Sequence, residues 1–272
     1  MNVKGVGIGG RNPVRIMGIV NLSPESFYDE SIATTTDDLQ ERIRLMEAQG
    51  ADIIDVGGAS TAPKDVYGTP RITEKEEIDR ISSAIGVIAD TTDLPLSIDT
   101  TSAAVAEIAL DMGASLVNDV SGLREDERMS SLVAARDVPV VLMANCQEGC
   151  RSINESLISL QQSLKIAKAA QIKKESIILD PGIGFGKPPD VDFAILRELH
   201  KYTSLGYPLL VGVSRKAFLG SLLEFPEPSN RLIGTIAATA IAVVNGADVI
   251  RAHDIPEAVN ACRVAEAILG NP

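Results

Sequence analysis

Three short blocks hold most of the side chains able to do chemistry. Asp180-Pro181-Gly182-Ile183-Gly184-Phe185-Gly186-Lys187 sets a carboxylate before a glycine-rich turn, where backbone can approach a ligand closely. Ser214-Arg215-Lys216 supplies a hydroxyl and two cations in succession. Arg251-Ala252-His253-Asp254 places a guanidinium and an imidazole two residues apart, on one side of an extended strand. Asn21, Asp55, Asp99, Asn118, Asp119 and Asn145 close other short apolar runs. Acids and bases gathered at one desolvated place must be paired or hydrogen-bonded. Asp99 and Asp180 with Lys216 and Arg251 suit a two-part ligand that offers N–H donors at one end and negative charge at the other.

Plainer explanations cover some of these residues. The Asp180 block is not a phosphate-binding P-loop, because Pro181 stands where that motif has Gly and Pro188 follows Lys187. Gly5 to Gly10 matches G-x-G-x-x-G, but no strand is expected before it and no helix after it, so it is not read as a dinucleotide loop. A lone Asp at a strand end commonly caps a helix or bonds within a barrel, and Asp55 and Asp119 are read that way. His200, the other of the two histidines, reads as a solvated last-turn residue of a helix. Cys146, Cys150 and Cys262 are odd in number and few, which argues against a disulfide framework and for a reducing compartment. Cys146 and Cys150 read as two incidental loop thiols.

The elements that must position these groups follow from a recurring pattern. Gly50-Ala51-Asp52-Ile53-Ile54-Asp55, Gly113-Ala114-Ser115-Leu116-Val117-Asn118 and Gly246-Ala247-Asp248-Val249-Ile250-Arg251 each read as helix stop, turn, buried strand and polar group. Eight strands are expected at 15–22, 53–57, 96–99, 116–119, 138–143, 177–180, 209–213 and 249–252. Their runs are continuously apolar, as in strands covered on both faces. Helical patterns alternate with them over 37–49, 73–89, 102–112, 126–136, 154–170, 191–202, 232–245 and 256–269. Thr73 and Glu76 have capping-box spacing. Strand then helix, eight times, is an α/β fold of the (β/α)8 TIM-barrel type, in one domain over residues 1–272, with its chemistry at the C-terminal strand ends. Three long βα loops are expected at 23–36, 59–72 and 144–153, and 224–229 interrupts the path from the seventh strand to its helix.

Bulk properties agree. The chain has 272 residues, near the roughly 250 of such barrels, and a core that is aliphatic, with no Trp. A formal net charge of −12 disfavours nonspecific binding to nucleic acid or anionic membrane. No apolar run reaches the roughly 18 residues of a membrane span, and a cytoplasmic protein is expected.

Seven ordered blocks resemble the dihydropteroate synthases, the pterin-binding enzymes of folate synthesis. They are residues 17–27, residues 50–58 with Ser60-Thr61, then 97–100, 117–122, 179–187, 212–216 and 251–254. The resemblance implies a transferase that joins 6-hydroxymethyl-7,8-dihydropterin diphosphate to an aromatic amine, with Mg²⁺ as cofactor, in a homodimer. It implies that Asp99, Asn118, Asp180 and Lys216 line the pterin pocket and that Arg251 stacks on the ring and helps hold the diphosphate. Asn21, near the metal, and His253 face the diphosphate. Thr61 and Ser214 lie toward the amine. Asp99, Lys216, Arg251 and His253 are the expected catalytic set.

The sequence departs from the family pattern in its amine half. Gly57-Gly58-Ala59-Ser60-Thr61-Ala62-Pro63 stands where Gly-Gly-Glu-Ser-Thr-Arg-Pro is usual, and Ala144-Asn145 follows Leu142-Met143 where His-Met is usual. These changes suggest a different amine, the ribosyl-aminobenzene phosphate of methanopterin synthesis, in place of p-aminobenzoate. Two alternatives share the pterin residues: a methyltransferase to a corrinoid protein, and a noncatalytic pterin-binding protein.

Overall fold

The computed structural model describes residues 1–22, 35–59, 72–146 and 149–270. Eight parallel strands form one sheet: β1 (Arg15–Asn21), β2 (Ile53–Gly57), β3 (Leu96–Asp99), β4 (Leu116–Asp119), β5 (Val140–Met143), β6 (Ile177–Asp180), β7 (Leu210–Val211) and β8 (Val249–Ala252). Their order is β6-β5-β4-β3-β2-β1-β8-β7. A parallel bridge between Leu179 and Leu209, with Leu179 N–H donating to Pro208 O at 2.9 Å, joins the two ends into a barrel. The helices α1 (Thr36–Ala48), α2 (Glu74–Ala89), α3 (Ala103–Asp111), α4 (Glu127–Arg136), α5 (Ile153–Ala169), α6 (Pro189–Arg197), α7 (Leu232–Val244) and α8 (Ile255–Leu269) connect them.

Alternation along each strand sorts the residues between two cores. Ile54, Val56, Ile98, Val117, Leu142, Leu179 and Ile250 point outward and pack with the helices. Met17, Ile53, Leu116, Val141, Ile178, Leu210 and Val249 fill the lower barrel interior. Two residues further along the same faces stand Ile19, Asp55, Asn118, Met143, Asp180, Gly212 and Arg251. The interior is therefore apolar at its N-terminal end and polar at its mouth.

Local chemistry sets the helix boundaries. Thr73 and Glu76 form the expected capping box at the start of α2, and Ser102, Asp126 and Ser152 accept from backbone N–H groups at the starts of α3, α4 and α5. The three repeated helix stops hold at Gly50, Gly113 and Gly246, whose φ angles are +100°, +113° and +104°.

Several boundaries differ from the sequence reading. A strand does precede the Gly-rich N-terminal stretch: Asn2–Val3 pairs antiparallel with Val6–Gly7. This hairpin puts Val3 and Ile8 into the lower barrel core, so the glycines serve a plug and not a phosphate loop. β5 begins after Pro139, which has no N–H to offer the ladder, and β7 is short beside Pro208. The sixth helix stops at Arg197, and His200 opens a separate turn (His200–Thr203) on the surface instead of ending a helix. Residues 224–229 interrupt the path after β7 as expected, with an unforeseen short helix, Ala217–Leu223, before them. Among the described residues, no helix is long and apolar enough to cross a membrane.

Candidate functional site

Arg251, inward-facing on β8, ties its strand to β2 and β3, and Asn118 adds β4 through Asp55. Its Nε donates to Asp55 Oδ2 at 2.6 Å, and its Nη2 donates to Asp99 Oδ2 at 2.7 Å. Asn118 Nδ2 donates to the same Asp55 oxygen at 3.1 Å. Burial opposes the guanidinium charge, but Asp55 and Asp99 outweigh it and hold the pKa above the ordinary arginine value. Asp55 is 0% exposed, so it belongs to the site as the anchor of Arg251. Asn21, at the end of β1, is paired in register with Gly57. A Cβ on Gly57 would lie 3.8 Å from Asp99 Cβ and 3.9 Å from Asn21 Oδ1, so the Asn21 amide and Asp99 flank the bare backbone of Gly57.

The opposite wall is built from β6 and the turn after β7. Asp180 Oδ1 accepts from Gly182 N–H at 2.7 Å. Burial raises the Asp180 pKa, against the pull of Lys216, Lys187 and Arg251. Burial likewise brings Lys216 down to about 8, with Asp180 opposing the shift. Lys216 Nζ donates to Ile183 O and stands 4.6 Å from the centre of the Phe185 ring, a cation–π arrangement. A Cβ at Gly184 (φ +77°) would fall 2.6 Å from Lys216 Cδ, so glycine there admits the lysine stem. A Cβ on Gly212 would lie 3.6 Å from Lys216 Nζ and 3.7 Å from Arg251 Cβ. The Lys216 ammonium and the base of the Arg251 side chain thus border the bare backbone of Gly212.

Two buried charged residues under the glycine turn escaped the sequence reading. Lys187 Nζ donates to Gly182 O and, at 3.4 Å, to Ala144 O, and burial lowers its pKa to about 8. Asp192 Oδ1 accepts from Gly184 N–H at 2.9 Å, and burial raises its pKa to about 6. Lys187 ends the motif already singled out, which was the available signal. Asp192 sits in the first turn of α6, where an acidic residue is ordinary, so its type carried no signal.

The third block divides between structure and site. Ser214 Oγ lies 2.9 Å from His253 Nδ1 and accepts from His253 N–H at 3.2 Å. Burial, then Arg251, Arg42, Arg215 and Lys216, push the His253 pKa well below its ordinary value. Arg215, the other cation of the Ser214-Arg215-Lys216 block, turns away from the mouth. Its Nε and Nη2 grip Asp254 at 2.9 and 2.7 Å, and its Nη1 donates to Pro228 O and Ser229 O. Its φ of +54° redirects the chain there, and the guanidinium holds the loop after the short helix.

The fifth loop requires a correction. Cys146 and Cys150 are not incidental thiols: they form a disulfide across four residues of sequence. Gly149, with φ +77°, lets the chain turn back between them. The cysteine count therefore no longer argues for a reducing compartment. The closed loop lies against the glycine turn, where a Cβ on Gly149 would meet Gly186 O at 1.9 Å. Asn145 is committed to structure, donating from Nδ2 to Val120 O at 3.0 Å while its carbonyl accepts from Arg124 and Ser159. Asp119 has a structural role, as expected, but caps its own loop where a helix cap or a barrel bond was read, accepting from Ser121 and Leu123 N–H at 2.8 Å each, and burial raises its pKa. Thr61, with Ser60, Ala62 and most of the first two long loops, lies outside the described residues.

The mouth thus combines buried carboxylate acceptors, an amide, two cations and a neutral imidazole. It can accept from a donor-rich heterocycle edge and hold an anion. The family model described as pterin binding enzyme matches residues 17–253. A dihydropteroate synthase of Clostridium beijerinckii is 40% identical over 257 residues, covering 93% of this chain and 94% of the relative. The Yersinia pestis dihydropteroate synthase, solved in complex with a sulfonamide drug, superposes with a TM-score of 0.91 at 33% identity over 99% of both chains. The Xanthomonas albilineans enzyme, solved with 4-aminobenzoic acid, gives a TM-score of 0.87 at 34% identity over 96% of this chain and 95% of that one.

Proposed function

The chain belongs to the pterin-binding enzymes and, within them, to the dihydropteroate synthases, and on that premise we propose that it joins 6-hydroxymethyl-7,8-dihydropterin diphosphate to p-aminobenzoate and releases diphosphate. It is a transferase. The observation that carries the reading is the arrangement of Arg251, bridged to Asp55 and Asp99, opposite the buried Asp180 and Lys216.

The chemistry asks for two kinds of stabilisation. The amine nitrogen attacks the pterin methylene, the C–O bond breaks, and its electron pair leaves with the diphosphate. The amine then loses a proton. Asp180 and Asn118 suit the donor and acceptor edge of the pterin, since a fixed carboxylate accepts adjacent N–H groups and an amide does both. Lys216 adds a donor to the same pocket. Asp99 stabilises positive character on the methylene, while Arg251 and His253 meet the charge growing on the leaving group. Thr61 is assigned to the amine side with Ser214, whose hydroxyl is engaged by His253 in the free protein.

Mg²⁺ fits the set through Asn21. Its amide oxygen is a hard donor that faces Asp99 across the bare backbone of Gly57, and Mg²⁺ commonly takes few protein ligands and fills the rest of its shell with water and phosphate oxygens. Bound there, it would neutralise charge on the diphosphate. A homodimer is proposed through the uncharged outer face of α7.

Purified protein, dihydropterin diphosphate and each amine in turn provide the test, read as diphosphate release and coupled product. Turnover with p-aminobenzoate is expected. Exclusive use of ribosyl-aminobenzene phosphate would replace the amine and assign the altered loops to that choice. No diphosphate release with either amine would reject the synthase reading.

A further inference from the structure

We propose that Ser214 is a positioning residue that fixes the tautomer of His253, so that the imidazole meets the anionic group of the substrate as a neutral Nε2–H donor. Ser214 is 3% exposed, so its hydroxyl has little access to water. Its Oγ has two partners among the described residues, the backbone N–H of His253 at 3.2 Å and His253 Nδ1 at 2.9 Å. The backbone N–H is a donor only, so it occupies an Oγ lone pair. A second lone pair remains, but an Nδ1–H donated into it would leave the buried hydroxyl proton with no acceptor among the described residues, so the hydroxyl donates to Nδ1. An imidazole that accepts at Nδ1 and is neutral carries its proton on Nε2.

The surroundings keep the ring neutral. Burial, Arg251, Arg42, Arg215 and Lys216 all disfavour a second proton on it. A neutral Nε2–H stabilises a developing anion by hydrogen bonding without transferring a proton, and it adds no charge to a mouth already crowded with cations. Ser214 thereby acts through His253, at one remove from the reacting atoms. That the anion is the departing diphosphate rests on the synthase reading; the tautomer itself does not.

The test begins without substrate. Long-range ¹H–¹⁵N correlation on full-length protein labelled at histidine reports protonation at each ring nitrogen, and the chain has only two histidines. His200→Gln, a change on the surface, assigns the pair. The expected result is a His253 ring protonated at Nε2 and bare at Nδ1 near neutral pH. Ser214→Ala should mix the tautomers and lower kcat/KM for the diphosphate substrate by about 10- to 100-fold, the size of loss seen when the outer partner that orients a metal-bound histidine is removed. Affinity for free pterin, which lacks the diphosphate, should be unchanged, and Ser214→Thr should restore both the single tautomer and the rate. A wild-type ring protonated at Nδ1 overturns the assignment whatever the protein catalyses, and it needs no folded variant. A rate loss in Ser214→Ala with the tautomer unchanged overturns it as well. The expected tautomer in a protein that never releases diphosphate supports the assignment and rejects the synthase reading instead.

Discussion

Lys216 is the residue at which stability and activity pull apart. Burial brings its pKa to about 8, far below the 10.5 of a solvated lysine. In the unfolded chain the ammonium persists to about 10.5, so between about 8 and 10.5 the unfolded state binds more protons than the folded state. The Lys216 contribution to folding stability therefore rises with pH across that window. Activity goes the other way, because the pterin pocket loses a donor and Asp180 loses its largest offsetting charge. The expected kcat/KM profile has an alkaline limb near pH 8, absent in Lys216→Arg, whose guanidinium stays charged. Lys187 titrates in the same range, so Lys187→Met must keep the limb; a limb that disappears with Lys187→Met and survives in Lys216→Arg would transfer the effect to Lys187. Lys216, Asp180, Asp99, Asn118 and Arg251 were legible because a strand ended on each or a turn began there. Asp55 was read as a cap or a partner within the barrel, and the second holds, since it accepts from Arg251 and Asn118; its type and place gave no sign that this partner would be a cation of the site. Asp192 was invisible, because only the packing of α6 under the glycine turn makes a first-turn acid buried.

Among the elements, the fifth loop and the glycine turn after β6 form one mechanical unit. The Cys146–Cys150 disulfide closes the loop, Gly149 touches Gly186, and Lys187 reaches back to Ala144 O. Asp180 begins the turn and Ile183 O receives Lys216, so disturbing the loop should reach the pterin pocket. Gly149→Ala adds a methyl that would meet Gly186 O at 1.9 Å on a residue at φ +77°. The expected effect is a loss of about 1–3 kcal/mol of stability together with weaker pterin affinity, read by thermal denaturation and titration calorimetry. Cys146→Ser opens a ring of only a few residues and should lower stability by roughly 2 kcal/mol, the chain-entropy figure for so short a loop. Wild-type melting and pterin affinity in Gly149→Ala would show the two loops to be mechanically independent. The barrel strands and the three glycine helix stops were legible because apolar runs and left-handed caps are local signals. The disulfide was not, because two cysteines four apart bond or stay apart according to a turn that only Gly149 and its neighbours decide. The N-terminal hairpin was missed because its two-residue strands are too short to show alternation.

At the scale of the molecule, a chain of formal net charge −12 keeps the 13-residue helix α7 free of charge altogether. α7 has no Asp, Glu, Lys or Arg, and its outward stripe runs Ile233, Ala237, Ile241 and Val244. Beside it, α8 exposes Val264 and Ile268. Ile233 is 82% exposed and Ile268 is 74% exposed, and side chains of that kind in one patch mark an association surface. A second copy of the chain is the simplest partner, because a two-fold axis lets the same stripe cover itself. The inner side of α7 serves the site: Thr235 Oγ1 accepts from Arg215 N–H at 2.9 Å, directly beside Ser214 and Lys216. One helix thus faces the catalytic turn with its polar side and solvent or a partner with its apolar side. Ile233→Glu with Ile268→Glu should change only the second. Light scattering is expected to give twice the chain mass for the wild type and the single mass for the double variant, with pterin affinity retained. A wild type that stays monomeric at micromolar concentration would leave the stripe without its partner. A double variant that is monomeric and has lost pterin binding would mean that the two faces of α7 are coupled, and that assembly holds the turn carrying Lys216 in place.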